Sequence, residues 1–176
     1  MENGYSILII TGPVGAGKTS AAETIYDLLS AKKIPCAVID FDWLTSAYPS
    51  PNDDRFNFRL GIKNLNSIIP NYLALGIKLF IIPTVIESKE ETEAFKKLIP
   101  GTNIFVVRLT AKAATLHKRL DKREIGSLLD WHKARAIELI SVFESKHLEN
   151  IVVDTESKPI EIIAKEILHY WPEVTK

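Results

Sequence analysis

The 176-residue chain has a single cysteine, Cys36. That excludes an internal disulfide and any multi-cysteine zinc or iron–sulfur site within one chain. The four histidines, His117, His132, His147 and His169, lack zinc-ligand spacing. Charge of one sign is lacking as well: 22 Lys and Arg face 22 Asp and Glu, so the formal net charge is zero. A global polyanion binder is basic, so no nucleic-acid partner is expected. Long apolar runs are missing; residues 7–10 fall far short of the ~20 that span a bilayer, so no membrane partner is expected. The opening Met1-Glu2-Asn3-Gly4 has no basic n-region, which makes the cytoplasm the expected location. There is no G-x-S-x-G nucleophile elbow, no N-K-x-D guanine motif and no internal repeat. Hydrophobic residues at 46% and charged residues at 25% disfavour disorder, collagen and coiled coil. The length fits one domain, carrying at most a small lid.

Along this chain, short apolar runs alternate with helical patterns. Strands are expected at residues 5–11 (YSILIIT), 36–41 (CAVIDF), 78–82 (KLFII), 103–109 (NIFVVRL) and 151–154 (IVVD). Helices are expected at 18–32, 58–75, 87–98, 111–124, 128–146 and from Pro159 to about residue 170, the last capped by Ser157. Pro70 is expected to kink the 58–75 helix or to open a second one, and Pro100-Gly101 to form a turn. Residues 46–57, rich in Pro, Ser, Asn and Asp, read as loop. Continuous Val/Ile/Leu runs separated by helices imply parallel strands covered on both faces. The expected fold is therefore α/β, a three-layer α/β/α sandwich on a five-stranded parallel sheet. Ligands of such sheets sit at the carboxyl ends of the strands.

The sharpest motif lies at one of those ends. Gly12-Pro13-Val14-Gly15-Ala16-Gly17-Lys18-Thr19 fits G-x-x-x-x-G-K-[ST] at every fixed position, between a strand and a helix. Its glycines let successive N–H groups wrap a polyphosphate, and the helix N-terminus adds positive potential. The nucleotide is expected on residues 12–19 together with Ser20. Lys18 would bridge the β- and γ-phosphates, and Thr19 would offer its hydroxyl to Mg²⁺.

Asp40 and Asp42 follow the second strand, and strand alternation would place them on one face. Asp40 closes a hydrophobic run and is the expected Mg²⁺ ligand, because the third strand, ending FIIP, offers no acid there; Glu87 ranks behind it. The other carboxylate, Asp42, can accept a proton from an attacking hydroxyl. Between residues 108 and 123 stand six Lys or Arg against one acid. Arg119 and Arg123, four apart, share a helix face and are expected to act as lid arginines on the transferring phosphoryl group. Gly126 supplies a hinge-like break. Arg55 and Arg59 are candidates for binding an anionic group of the substrate.

These motifs, with Val153-Asp154-Thr155 before the last helix, resemble the small P-loop kinases of the nucleoside-monophosphate-kinase-like group. Its members include gluconate, shikimate and adenylylsulfate kinases and chloramphenicol phosphotransferase. The likeness extends along nearly the whole chain. It implies a P-loop fold, ATP and Mg²⁺ as cofactors, and transfer of the γ-phosphate to a hydroxyl of a small molecule. Residues 42–49 look like the segment holding the catalytic aspartate of chloramphenicol phosphotransferase, which makes Asp42 base and substrate contact. Asp40 matches the magnesium-side acid of D-x-D pairs. Thr155 matches the turn that lies against adenine. Residues 43–75 would form a substrate-binding helical segment and residues 119–130 a lid, both inserted within one domain, 1–176. The stretch 119–135 looks like uncharacterised ATPase-like relatives described as kinases. The partners so implied are nucleotide and acceptor, with the protein a monomer or homodimer. Nucleoside-monophosphate kinase and regulatory ATPase stand as alternatives.

Other residues are expected to be structural. Trp131, Phe143, Tyr170 and Trp171 should pack helices. Cys36 should be inert core, and Glu90, Glu91 and Glu93 a solvated helix face.

Overall fold

The computed structural model describes residues 5–98, 102–123 and 126–174. Five strands, β1 (Ser6–Thr11), β2 (Cys36–Val38), β3 (Leu79–Pro83), β4 (Asn103–Thr110) and β5 (Ile151–Asp154), form one sheet in the order β2-β3-β1-β4-β5. Every pairing is parallel; Ile7 sits opposite Phe80 on one side and Ile104 on the other. The helices are α1 (Lys18–Ala31), α2 (Phe41–Thr45), α3 (Phe58–Ala74), α4 (Lys89–Leu98), α5 (Ala113–Arg123), α6 (Ser127–Lys146) and α7 (Ile160–Tyr170).

Alternation along β1 explains the layering. Leu8 and Ile10 enter one core with Ile25 and Leu29 of α1, Leu116 and Leu120 of α5, Ala136 of α6 and Ile163 and Ile167 of α7. Ile7 and Ile9 enter the other with Phe41 of α2, Leu65 and Ile69 of α3 and Phe95 of α4. All six β1 residues are buried. Each fully buried Leu, Ile or Phe contributes roughly 1.5–3 kcal/mol, so the central strand is the best-anchored element of the sheet. The three-layer α/β/α P-loop architecture is thus present as expected. Among the described residues, no helix is long and apolar enough to cross a membrane.

Several local expectations are corrected. Strand β2 stops at Val38 instead of running to residue 41, because the Asp40 side chain accepts from the Asp42 N–H and starts α2. Pro70 does not open a second helix; α3 runs through it from Phe58 to Ala74. Its ring and Asn66, whose carbonyl loses the bond that Pro70 cannot donate, both lie on the exposed side, where water compensates. Ser157 does not cap α7; it sits at φ +55°, and Pro159 occupies the N-cap position. The Pro100-Gly101 turn and residues 124 and 125 lie outside the described residues.

Candidate functional site

The phosphate-type loop turns from β1 into α1 at the carboxyl end of the sheet. Gly12, Gly15 and Gly17 hold φ of +144°, +85° and +93°, values that side chains oppose. At Gly12 a Cβ would also meet the Leu109 carbonyl oxygen at 2.5 Å, so β4 itself demands glycine there. No side chain caps α1 at Gly17. Lys18 curls back over the loop, its Nζ donating to the carbonyls of Gly12 at 2.9 Å and Pro13 at 3.2 Å. Burial lowers the Lys18 pKa to about 8; Asp42 and Asp40 pull it up, and Arg123 pushes it down.

Two acids face this loop. Thr19 Oγ1 donates to Asp40 Oδ2 at 3.2 Å, while Asp40 Oδ1 accepts from the Asp42 N–H at 3.1 Å. Asp42 therefore rides on the first turn of a short helix, not on a strand face. Its side chain is open to the cavity, yet the protein surrounding that cavity desolvates it. Burial raises its pKa, with Lys18 opposing and Asp40 adding to the rise. Thr19 and Asp40 form a pair of hard oxygen donors beside the loop. That fits Mg²⁺, which takes one or two carboxylates and completes its shell with phosphate and water. Among the described residues, no group of three or more His, Cys, Asp and Glu gathers into a fuller metal cage.

A cavity of about 560 Å³ opens from the loop. Val14, Gly15, Gly17, Lys18, Thr19, Ser20, Asp42 and Arg123 line it; Gly12, Pro13, Ala16 and Asp40 are not among its lining residues. The two basic-helix arginines separate. Arg123 lines the cavity, whereas Arg119 grips the turn after β5, donating to Thr155 O at 2.8 Å, Thr155 Oγ1 at 3.0 Å and Gly15 O at 3.4 Å. Thr155 is fully buried and bonds Thr110 through both its N–H and its hydroxyl. Arg119 thus ties the phosphate-type loop to the β5–α7 turn instead of sharing a surface with Arg123.

The acceptor-side arginines also part. Arg55 lines the cavity, but Arg59 does not; it pairs with Asp53 at 2.8 Å and Asp54 at 3.4 Å. Asp54 in turn accepts from the N–H groups of Phe58 and Arg59, fixing the start of α3.

Other lining residues escaped the sequence reading. Arg135, 9% exposed on α6, pairs with Glu87 and, at 2.8 Å, with Glu138. Glu91 is not on a solvated face. It lines the cavity and closes a capping box: the Glu91 N–H donates to Ser88 Oγ, while its Oε2 accepts from the N–H groups of Ser88 and Glu87. Burial raises its pKa, and the bond from the Glu87 N–H opposes that rise. The S-x-x-E spacing was the signal that could have found it. Trp131, 40% exposed, also lines the cavity, so it is not only a packing residue; Trp171, fully buried, is one.

No family model matches the sequence, and no curated protein matches it. Solved structures do match its fold. A sugar kinase from Janibacter is 18% identical, with 98% of each chain covered and a TM-score of 0.66. The APS kinase of Mycobacterium tuberculosis, solved with AMPPNP and APS, is 21% identical; 93% of this chain and 95% of that one are covered, at a TM-score of 0.64. Shikimate kinase from Acinetobacter baumannii, solved with shikimate, is 18% identical, with 96% and 93% covered and a TM-score of 0.60. The chain has the fold of the small P-loop kinases.

Proposed function

We propose that this protein transfers the γ-phosphate of Mg-ATP to a hydroxyl of a small molecule. One observation carries the reading: Asp42 and Lys18 line the same cavity at the mouth of the phosphate-type loop, close enough for each charge to shift the other. A lysine beside a glycine loop suits phosphate, and a desolvated carboxylate beside it suits proton acceptance.

The chemistry is in-line displacement. The acceptor oxygen forms a bond to the γ-phosphorus, its proton passes to Asp42, and the bond to the β-phosphate oxygen breaks to release ADP. Lys18 and Arg123 bind the phosphoryl oxygens as charge redistributes. Thr19 and Asp40 would hold Mg²⁺, which supplies neutralisation of the phosphate oxygens. Arg119 and Thr155 shape the nucleotide end. Residues 43–75 form the acceptor wall; of the expected 119–130 lid, Arg119 and Leu120 are anchored in the fold, and Arg123 is the residue that reaches the cavity. The pairing of Arg59 with Asp53 and Asp54 counts against a two-arginine monophosphate pocket.

The test is ADP release with Mg-ATP across sugars, sugar acids, nucleosides, nucleoside monophosphates and other hydroxyl compounds. An acceptor that raises turnover above the ATPase background supports the reading. A partner captured only in the ATP state, with no acceptor found, would replace it with a regulatory ATPase.

A further inference from the structure

Most polar side chains around the acceptor half of the cavity are already committed within the fold. Asp53 and Asp54 are held by Arg59, and Asp54 also by two backbone N–H groups. Glu87 and Glu138 hold Arg135. Glu91 is occupied by the N–H groups of Glu87 and Ser88. A group so engaged is a poor receptor for ligand hydroxyls, because binding would exchange one hydrogen bond for another.

Ring surface is what stays open. Phe56 is 45% exposed and Trp131 is 40% exposed, and both line the cavity. They come from separate parts of the chain, the 46–57 loop and α6. The Arg55 guanidinium lies over both rings, 5.2 Å from the Phe56 centroid and 6.0 Å from that of Trp131. Arg135 lies over Phe56 at 5.1 Å. A guanidinium is flat and delocalised, so these faces already take a planar group. Among the described residues Arg55 has no carboxylate partner, so its contacts with the two rings are of the cation–π kind, which a competing ring can displace.

We infer, resting on the kinase reading, that the acceptor is an aromatic alcohol rather than a sugar or polyol: its ring stacks on Phe56 and Trp131 and its hydroxyl reaches Asp42. A polyol needs several free donors and acceptors to replace its water, and the committed carboxylates and guanidinium do not supply them. An aryl alcohol needs ring faces and one polar anchor, which this half of the cavity has.

The test uses the full chain with 2-phenylethanol and 2-(1-naphthyl)ethanol against glycerol, glucose and gluconate. Binding is read by calorimetry in the presence of a non-hydrolysable ATP analogue, and transfer by ADP release with Mg-ATP. The aryl alcohols should bind, the naphthyl compound more tightly, and the polyols should not. Trp131→Leu and Phe56→Leu should each raise the aryl alcohol Kd about tenfold while the Kd of the ATP analogue stays put. The two variants sit on different elements, so a folding defect in one leaves the other informative. Aryl binding that the variants weaken, with no ADP release from any aryl alcohol, would show a ring site that is not the acceptor site and overturn the inference, while the kinase reading stands or falls on the wider ADP-release screen. Polyol phosphorylation with no aryl binding would overturn the inference and leave the kinase reading standing. Absence of binding by either class, or aryl affinity indifferent to both variants, also overturns it.

Discussion

The Asp42 N–H donates to Oδ1 of Asp40 at 3.1 Å, so one acid caps the short helix that carries the other. Asp40 Oδ2 meanwhile accepts from Thr19. A single carboxylate therefore couples the start of α1 to the placement of Asp42, and disturbing either end moves the other.

Asp42→Asn should keep the shape of the site and remove the proton acceptor. We expect kcat with an identified acceptor to fall ~10²–10⁴-fold, with ATP affinity changed little. Full activity in this variant would refute the assignment of Asp42 as base.

The pH profile follows from the two shifted groups. Asp42 works ionised, so kcat/KM should rise with pH through a carboxyl pKa above the usual range. Lys18 works protonated, so kcat/KM should fall as pH passes about 8. Bound phosphate favours the charged lysine, so the alkaline limb of kcat should lie higher than that of kcat/KM. Coincident alkaline limbs would remove Lys18 as their source.

Arg119→Lys is not a conservative change here. A lysine cannot serve both Thr155 oxygens and Gly15 with one planar fork. The Kd for ATP should rise about tenfold, the scale of a lost charge-assisted hydrogen bond. Equilibrium nucleotide binding measures this; an unchanged Kd would mean that the tie is structural only.

Gly61→Ala probes the seat of α3 on α2. The added Cβ would lie 2.6 Å from both Phe41 Cζ and Thr45 Cγ2. Overpacking of this kind costs about 1–3 kcal/mol, partly offset by the better helix propensity of alanine. Tm should drop by about 2–4 °C per kcal/mol in a chain of this size. A Tm at or above that of the parent would show that α2 yields without strain.

Legibility in the sequence tracked locality. The phosphate-type loop is eight consecutive residues whose glycines, lysine and threonine each have a local reason, and the parallel sheet follows from five apolar runs. Asp40 was visible as an acid at a strand end, but its role as a helix cap was hidden because Phe41, Trp43 and Leu44 after it carry ring and aliphatic side chains that also suit a strand. Arg135 was illegible: its partner Glu87 lies 48 positions away, between β3 and α4, and only the tertiary fold brings the two together. Arg119 and Arg123 share a helix, but a helix face cannot say that Thr155, 36 positions on, captures one of them. Glu91 was legible through its capping box, and the pattern of neighbouring glutamates obscured it.

Trp171 donates its indole N–H to Ser6 Oγ at 3.0 Å, and α7 packs its Ile163, Ala164 and Ile167 into the core that also receives Ile25 and Leu29 of α1. The order of synthesis then matters. Strand β1 and the phosphate-type loop leave the ribosome well before α7, so the helix behind that loop has no complete apolar support until residues 160–171 emerge. The phosphate-type loop is thus made well before it is fully braced. Mutations in α7 should accordingly lower the yield of nascent chains that reach a nucleotide-competent state, although none of them touches the cavity.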